Sequence, residues 1–95
     1  MKHIKTIDIN TLTWFDKING NTYFANKIIV NYGLKSEKTF IQPFQYGYSS
    51  FDYKAIELVK KELNLNCKIS DIFQNTIIRH NIYKSLKRDL INLSK

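Results

Sequence analysis

The chain has few of the residues that cross-link a fold or bind a metal. Its 95 residues include one cysteine, one proline, three glycines and two histidines. Cys67 has no second thiol for a disulfide, and with only His3 and His80 it cannot complete a zinc site. Three glycines form no phosphate-binding loop. We therefore expect an intracellular, cytoplasmic protein without a metal or another cofactor.

Long apolar runs are also missing. No stretch approaches the roughly 20 apolar residues that cross a bilayer. The first ten residues, MKHIKTIDIN, lack the apolar segment of a signal peptide. There are no repeats, low-complexity tails or linkers. With 43% hydrophobic residues, the sequence predicts one soluble domain over 1–95 with a single core and no membrane partner.

Acidic residues are scarce relative to basic ones. Fifteen Lys and Arg against eight Asp and Glu give a net charge of +7. Such a charge attracts nucleic acid, an anionic membrane surface or an acidic protein. Alternatively, the positive charge reflects composition alone. Lys, Asn and Ile are all abundant, as a low-GC genome produces without selection for binding a polyanion.

The strongest local signal lies in residues 4–32, where Asn19-Gly20 separates two β-rich runs. Asn-Gly readily adopts the positive φ angles of a type I′ turn, so the pattern predicts a β-hairpin with a two-residue loop. The loop sets a testable register. The predicted cross-strand pairs include Phe15 with Phe24, Ile9 with Val30 and Ile7 with Tyr32.

Period-2 alternation sorts the hairpin residues into two faces. The predicted core face is apolar apart from two threonines and one asparagine: it carries Ile7, Ile9, Thr11, Thr13, Phe15, Phe24, Asn26, Ile28, Val30 and Tyr32. The opposite face is mixed and carries the one tryptophan: it contains Asp8, Asn10, Leu12, Trp14, Asp16, Tyr23, Ala25, Lys27, Ile29 and Asn31.

Residues 39–48 predict a third strand, with Phe40, Phe44, Tyr46 and Tyr48 on one side. Pro43 cannot donate to a ladder, which favours an edge strand. Pairing with the second strand is simplest, because sequential strands usually lie side by side. The sheet over 4–48 is then a three-stranded antiparallel meander.

The C-terminal half is predicted to be helical. Ser49 or Ser50 is a suitable N-cap for a helix over 51–63. A second helical pattern runs over about 70–93, and its apolar stripe changes phase near residues 79–81. This helix either bends there or divides in two. The predicted fold is α+β, a meander followed by two or three helices.

No residue set indicates catalysis. Asp8 and Asp16 lie eight residues apart on an extended strand, at about 3.3 Å per residue, which is too far for a carboxylate pair. The cationic neighbours of His80 suit phosphate contact better than proton abstraction, and no catalytic motif surrounds Cys67. A solvated histidine and an inert thiol are the ordinary alternatives. We expect a binding protein and not an enzyme.

Two candidate binding surfaces follow from the predicted elements. On a helix, His80, Lys84, Lys87 and Arg88 share one face with Arg79 beside it. Such a face could follow phosphates or contact an acidic partner, or it could be an ordinary solvated face.

The second surface is aromatic and lies on the mixed sheet face. It combines Trp14 and Tyr23 with Tyr46 and Tyr48, and Lys17 and Lys27 lie close by in sequence. Exposed aromatic side chains stack bases or centre protein interfaces. Alternatively, a C-terminal helix covers this face and makes it core.

Residues 13–24 (TWFDKINGNTYF) and 42–48 (QPFQYGY) resemble small, mostly uncharacterised proteins of phages and other mobile elements. The resemblance covers about half of the chain. It implies an accessory protein of a mobile element, such as an anti-CRISPR-type inhibitor that binds a host defence complex stoichiometrically in the cytoplasm of the host cell. Its partner would be a host protein, a nucleoprotein complex or nucleic acid. It carries over no catalytic residue.

The sequence also fits three other interpretations. The order of three strands and a helix resembles the later part of a double-stranded-RNA-binding domain, but that family's lysine cluster is missing apart from Lys54. A DNA-binding regulator with a helix-turn-helix is another alternative, although the 64–69 connection exceeds the usual three or four residues. A general nucleic-acid-binding accessory protein is the third.

Overall fold

The computed structural model describes residues 4–95, so His3 lies outside the described part. Its elements are, in order, β1 (Thr6–Asp16), β2 (Asn21–Val30), β3 (Lys38–Tyr46), α1 (Phe51–Glu62), α2 (Ile69–Asn75), β4 (Ile77–Lys84) and α3 (Lys87–Leu93). The strands form one sheet in the order β3-β2-β1-β4. The predicted α+β class is confirmed. The predicted three-stranded antiparallel sheet is wrong in detail, because β4 joins β1 in parallel.

The β1-β2 hairpin is confirmed, but its loop has four residues and not two. The Gly20 amide donates to the Asp16 carbonyl at 2.7 Å, closing a loop over residues 17–20. Within this loop Gly20 takes a positive φ of 69° and Asn19 does not, which excludes a type I′ turn. The Asp16 carboxylate favours the longer loop by accepting hydrogen bonds from the Ile18 and Asn19 amides at 3.0 and 3.3 Å.

The longer loop shifts the register by two residues relative to the prediction. Ile7 pairs with Val30, and Trp14 pairs with Tyr23. A shift of one residue would have exchanged the two faces, whereas a shift of two leaves them unchanged. The core-face prediction is correct for its buried members: Ile7, Ile9, Thr11, Phe24, Asn26, Ile28 and Val30. It is wrong for Phe15 and Tyr32, which are exposed near the ends of the hairpin.

Strand β3 lies at an edge of the sheet, as Pro43 predicted. Beside Ala25 its pairing with β2 is irregular, because two residues of β3, Pro43 and Phe44, lie opposite this one residue of β2. This bulge reverses the alternation along β3. Phe40 therefore packs against the core, while Phe44 lies on the opposite face against Tyr23. The prediction that these two phenylalanines share a side is wrong.

The predicted helix over about 70–93 is interrupted by β4, which replaces its middle part. Residues 78, 82 and 86 are apolar and four apart, a spacing that fits a helix and also a strand of period two. β-Branched residues at 77, 78 and 82 favour the strand. Eight ladder pairs with β1, from Thr6 with Ile77 to Thr13 with Lys84, stabilise it.

The core lies between one face of the sheet, here called the inner face, and helices α1 and α2. Its buried members are mostly isoleucines from the two central strands together with helix residues such as Ala55, Ile56, Val59 and Ile72. The helix predicted over 51–63 is confirmed as α1. Ser50 is its N-cap residue but makes no side-chain capping hydrogen bond.

Helix α3 packs on the opposite, outer face of the sheet. It contacts β1, β2 and β3. Leu90 is completely buried there, and the Ser94 hydroxyl accepts a hydrogen bond from the Phe44 amide at 2.7 Å. The sheet is thus packed on both sides, although α3 is short and leaves part of the outer face exposed.

Candidate functional site

Four aromatic side chains form a continuous cluster on the outer face. The ring of Tyr23 is at its centre, with centroids 5.6 Å from Trp14, 5.0 Å from Phe44 and 5.9 Å from Tyr46. The Trp14 and Phe44 contacts are stacked, whereas Tyr46 meets Tyr23 edge-on. We call these four residues the aromatic cluster.

Strand pairing explains how residues so far apart in sequence come together. The hairpin register sets Trp14 opposite Tyr23, and the β2-β3 register sets Tyr23 opposite Tyr46. The bulge beside Pro43 then turns Phe44 to the same face. The cluster therefore crosses three strands. Tyr46 is 57% exposed, and the other three rings are half-buried.

Helix α3 adds positive charge to the aromatic cluster. The Lys87 Nζ lies 5.5 Å from the centroid of the Trp14 ring, within cation–π distance. The next residue, Arg88, has a side chain that is 78% exposed and lies 3.9 Å from Asp89. We call the aromatic cluster with Lys87 and Arg88 the aromatic–basic face. It joins parts of the two surfaces that the sequence predicted separately.

The predicted helical basic face does not exist as one surface. Arg79, His80 and Lys84 lie on β4, and alternation sends Arg79 to the outer face but His80 and Lys84 to the inner side. Only Lys87 and Arg88 are helical, on α3. Because the strand intervenes, the proposed spacing of these cations along one helix is wrong.

Arg79 forms an ion pair with a carboxylate on the neighbouring strand. Its Nε and Nη2 donate to the two carboxylate oxygens of Asp8 at 2.6 and 3.0 Å. This pairing raises the pKa of the Arg79 guanidinium above its ordinary value. The carboxylate balances its charge, so Arg79 is a weaker candidate for phosphate contact than the cations of α3.

His80 belongs to a polar chain that crosses the inner face. Its Nε2 lies 2.8 Å from the Thr11 hydroxyl, which donates to the Asn26 Oδ1 at 2.6 Å. The Asn26 amide donates onward to the Gln42 Oε1 at 2.7 Å. Gln42 in turn donates to the backbone carbonyl of Lys54 on α1 at 3.2 Å. All four strands and α1 are therefore joined.

The direction of these hydrogen bonds determines which partner donates between His80 and Thr11. The Lys54 and Phe51 carbonyls can only accept, which orients the Gln42 and Asn26 amides. The single hydroxyl proton of Thr11 is then used on Asn26. His80 must therefore donate from Nε2 to Thr11, a role that is structural and separate from the aromatic–basic face.

The remaining predicted residues lie apart from the cluster centre. Lys27 is exposed on the outer face of β2, and Lys17 is exposed in the hairpin loop. Tyr48 is 72% exposed beyond the end of β3. The sequence interpretation did not include Phe44 on the outer face. The signal that could have found it is Pro43, since a proline in a strand often marks a bulge.

Other kinds of site have little support within residues 4–95. No group of three or more His, Cys, Asp and Glu side chains in this region is arranged to hold a metal ion. Cys67 is a half-buried free thiol. None of the helices in the described region is long and apolar enough to span a membrane.

Comparisons with known proteins add no assignment. No family model, no curated protein and no solved structure matches the chain.

Proposed function

We propose that the protein is a non-enzymatic binding protein that recognises unpaired nucleic acid, free or within a nucleoprotein complex, through the aromatic–basic face. The observation that carries this proposal is the position of Lys87 over the Trp14 ring, at the edge of an aromatic cluster that crosses three strands. The net charge of +7 supports a polyanionic partner.

The chemistry of the face suits a single strand better than a duplex. Bases that are free of a partner can stack on exposed rings, a contact that contributes about 1–3 kcal/mol per base. In a duplex the base faces are already stacked and inaccessible. Tyr46, the most exposed ring of the cluster, is the first candidate for a base, and Lys87 and Arg88 are candidates for the adjacent phosphates.

The resemblance to mobile-element proteins supplies the proposed biological target. An accessory protein that binds guide or target strands could inhibit a host defence nucleoprotein by occupying it stoichiometrically. No covalent chemistry is required for this, in keeping with the expectation that the protein is not an enzyme.

The helix-turn-helix interpretation has less support. Helix α2, which would have to enter the major groove, has seven residues, including one acidic and no basic residue. Ile72 is turned into the core, which leaves few side chains for base contact.

The one tryptophan of the chain lies within the site, so its fluorescence reports on binding directly. We expect an oligothymidylate to quench Trp14 and a duplex of equal length to bind more weakly. Affinity should fall with salt, by a slope of about 0.7 per contacted phosphate on logarithmic axes. A response that is flat in salt would contradict phosphate contact.

Variants separate stacking from charge. Tyr46→Ala should weaken oligothymidylate binding about 5- to 150-fold if it stacks one base. Lys87→Ala should reduce the salt slope, whereas Lys61→Ala, on the exposed side of α1, should not. Equal effects of Lys87→Ala and Lys61→Ala would mean that binding follows net charge alone and would contradict a specific face.

The proposed target needs a separate test in host lysate. Wild-type protein should capture a nucleoprotein, and nuclease treatment should reduce the capture. A Lys87→Glu, Arg88→Glu double variant should lose it, while the matched Lys60→Glu, Lys61→Glu double variant should retain it. Capture that resists nuclease and depends on the same face would instead indicate an acidic protein partner.

A further inference from the structure

Strand β4 has an open edge in the described part of the chain. The Ile77 amide donates to the Lys5 carbonyl at 3.1 Å, and the Ser85 amide donates to the Thr13 carbonyl at 2.7 Å. Both donors are odd-numbered. Successive residues of a strand direct their backbone groups to opposite sides, so the backbone groups of all odd-numbered residues of β4 point towards β1. The backbone groups of the even-numbered residues therefore point away from the sheet: they belong to Ile78, His80, Ile82 and Lys84.

The two edges of the sheet differ in their protection. Edge β3 carries Pro43 and a bulge, and Ser94 covers the Phe44 amide. Strand β4 contains no proline, no glycine and no bulge over its eight residues. Its exposed side chains include Ile77 at 65%, Ile82 at 55% and Tyr83 at 49%. An uncovered, partly apolar edge of this kind can pair with another strand through its unpaired N–H and C=O groups.

We propose that β4 pairs antiparallel with β4 of a second copy of this chain, about a two-fold axis at His80. In this register Ile78 lies opposite the partner's Ile82, and Ile77 lies opposite the partner's Tyr83. The residues with free backbone groups then face each other, which forms about six hydrogen bonds between the copies. The exposed apolar side chains of β4 are paired with one another.

The strand is self-complementary in this register and not in the adjacent ones. A shift of two residues in one direction sets Arg79 opposite the partner's Arg79. The same shift in the other direction sets Ile78 opposite the partner's Lys84. In the proposed register Arg79 lies opposite the partner's Asn81, and Asp8 in its own chain balances its charge. This self-complementarity favours a second copy over an unrelated strand as the occupant.

The pairing would join two four-stranded sheets into one. A two-fold axis perpendicular to the sheet keeps both outer faces on the same side. The two aromatic–basic faces would then lie on one surface. The dimer itself does not depend on the proposed function of that surface.

Sedimentation equilibrium over a concentration series tests the proposal. We expect a reversible dimer for the wild type. Ile77→Glu alone and Tyr83→Lys alone should each raise the dissociation constant at least about tenfold, because each sets a charge against an apolar side chain. The double variant sets the introduced opposite charges against each other and should recover to within about threefold of the wild type.

Ile41→Glu is the matched control, since Ile41 is a partly exposed isoleucine on the other edge strand. It should leave the dissociation constant unchanged. A wild type that stays monomeric at all concentrations would overturn the proposal. A dimer that Ile41→Glu weakens, or one that the double variant does not restore, would overturn it as well.

Discussion

Ile28 and Ile29 are neighbours on β2, yet they lie in different environments. Ile28 is completely buried on the inner face within the core, whereas Ile29 is partly exposed on the outer face. The same contrast extends over the whole sheet. The inner face is covered by α1 and α2 and joined by the polar chain, while the outer face carries the aromatic cluster and the cations of α3. The inner face thus holds the main core, whereas the outer face is only partly covered by α3.

The largest expected effect is on the inner face. Ile28→Ala should lower the free energy of unfolding by about 2–5 kcal/mol, because it removes buried methyl groups and leaves a cavity. Ile29→Ala, the same change one residue along, should cost less than half as much. Urea denaturation followed by circular dichroism measures both values. Equal costs would contradict the assignment of the two faces.

The polar chain should give the next largest effect. Thr11→Val keeps the shape of the side chain but leaves Asn26 Oδ1 and the His80 Nε2–H without their partner. The expected loss is about 1–3 kcal/mol in the free energy of unfolding. Thr13→Val is the matched control, since the Thr13 hydroxyl donates to a carbonyl in an exposed position at 3.3 Å. If Thr13→Val lowered the free energy of unfolding as much as Thr11→Val, the polar chain would not stabilise the fold more than an exposed hydrogen bond does.

A smaller effect on stability is expected from the outer face. Lys87→Ala removes a cation–π contact that contributes about 0.5–1 kcal/mol at exposed sites. It should also change the emission of Trp14, which Arg88→Ala should leave nearly unchanged. Thermal unfolding and fluorescence spectra measure the two quantities. A loss from Lys87→Ala as large as that from Ile28→Ala would assign the outer face a structural role.

The hairpin loop should give the smallest effect, visible through pH. The hydrogen bond from the Asn19 side chain is the main cause that lowers the pKa of Asp16 below its ordinary value of 3.8, and the Asn19 and Ile18 amides also lower it. A carboxyl group with a lowered folded-state pKa stabilises the fold above its unfolded pKa, and that contribution is lost as the pH falls. The amide signals of Ile18 and Asn19 should therefore move as Asp16 is protonated below about pH 3.8. In Asp16→Ala this movement should be absent, and its persistence would contradict the assignment.

The candidate site could be predicted only in part. Alternation along the hairpin correctly placed Trp14 and Tyr23 on one face, because the two-residue error in the predicted register leaves the faces unchanged. Phe44 was missed because the bulge beside Pro43 depends on how β3 meets β2. The contact of Lys87 with Trp14 depends on where α3 docks, and no local pattern in the sequence specifies that position.

The elements with local signals could be predicted from the amino-acid sequence alone. These are the hairpin around Gly20, the edge position of β3 and the helix α1, which follow from turn residues, proline and apolar periodicity. The conformation of β4, in contrast, depends on long-range contacts. The spacing of its apolar residues fits both a helix and a strand, and pairing with β1 stabilises the strand. Arg79 and Asp8, which meet across that pairing, are 71 residues apart in the chain, so no short segment contains the information.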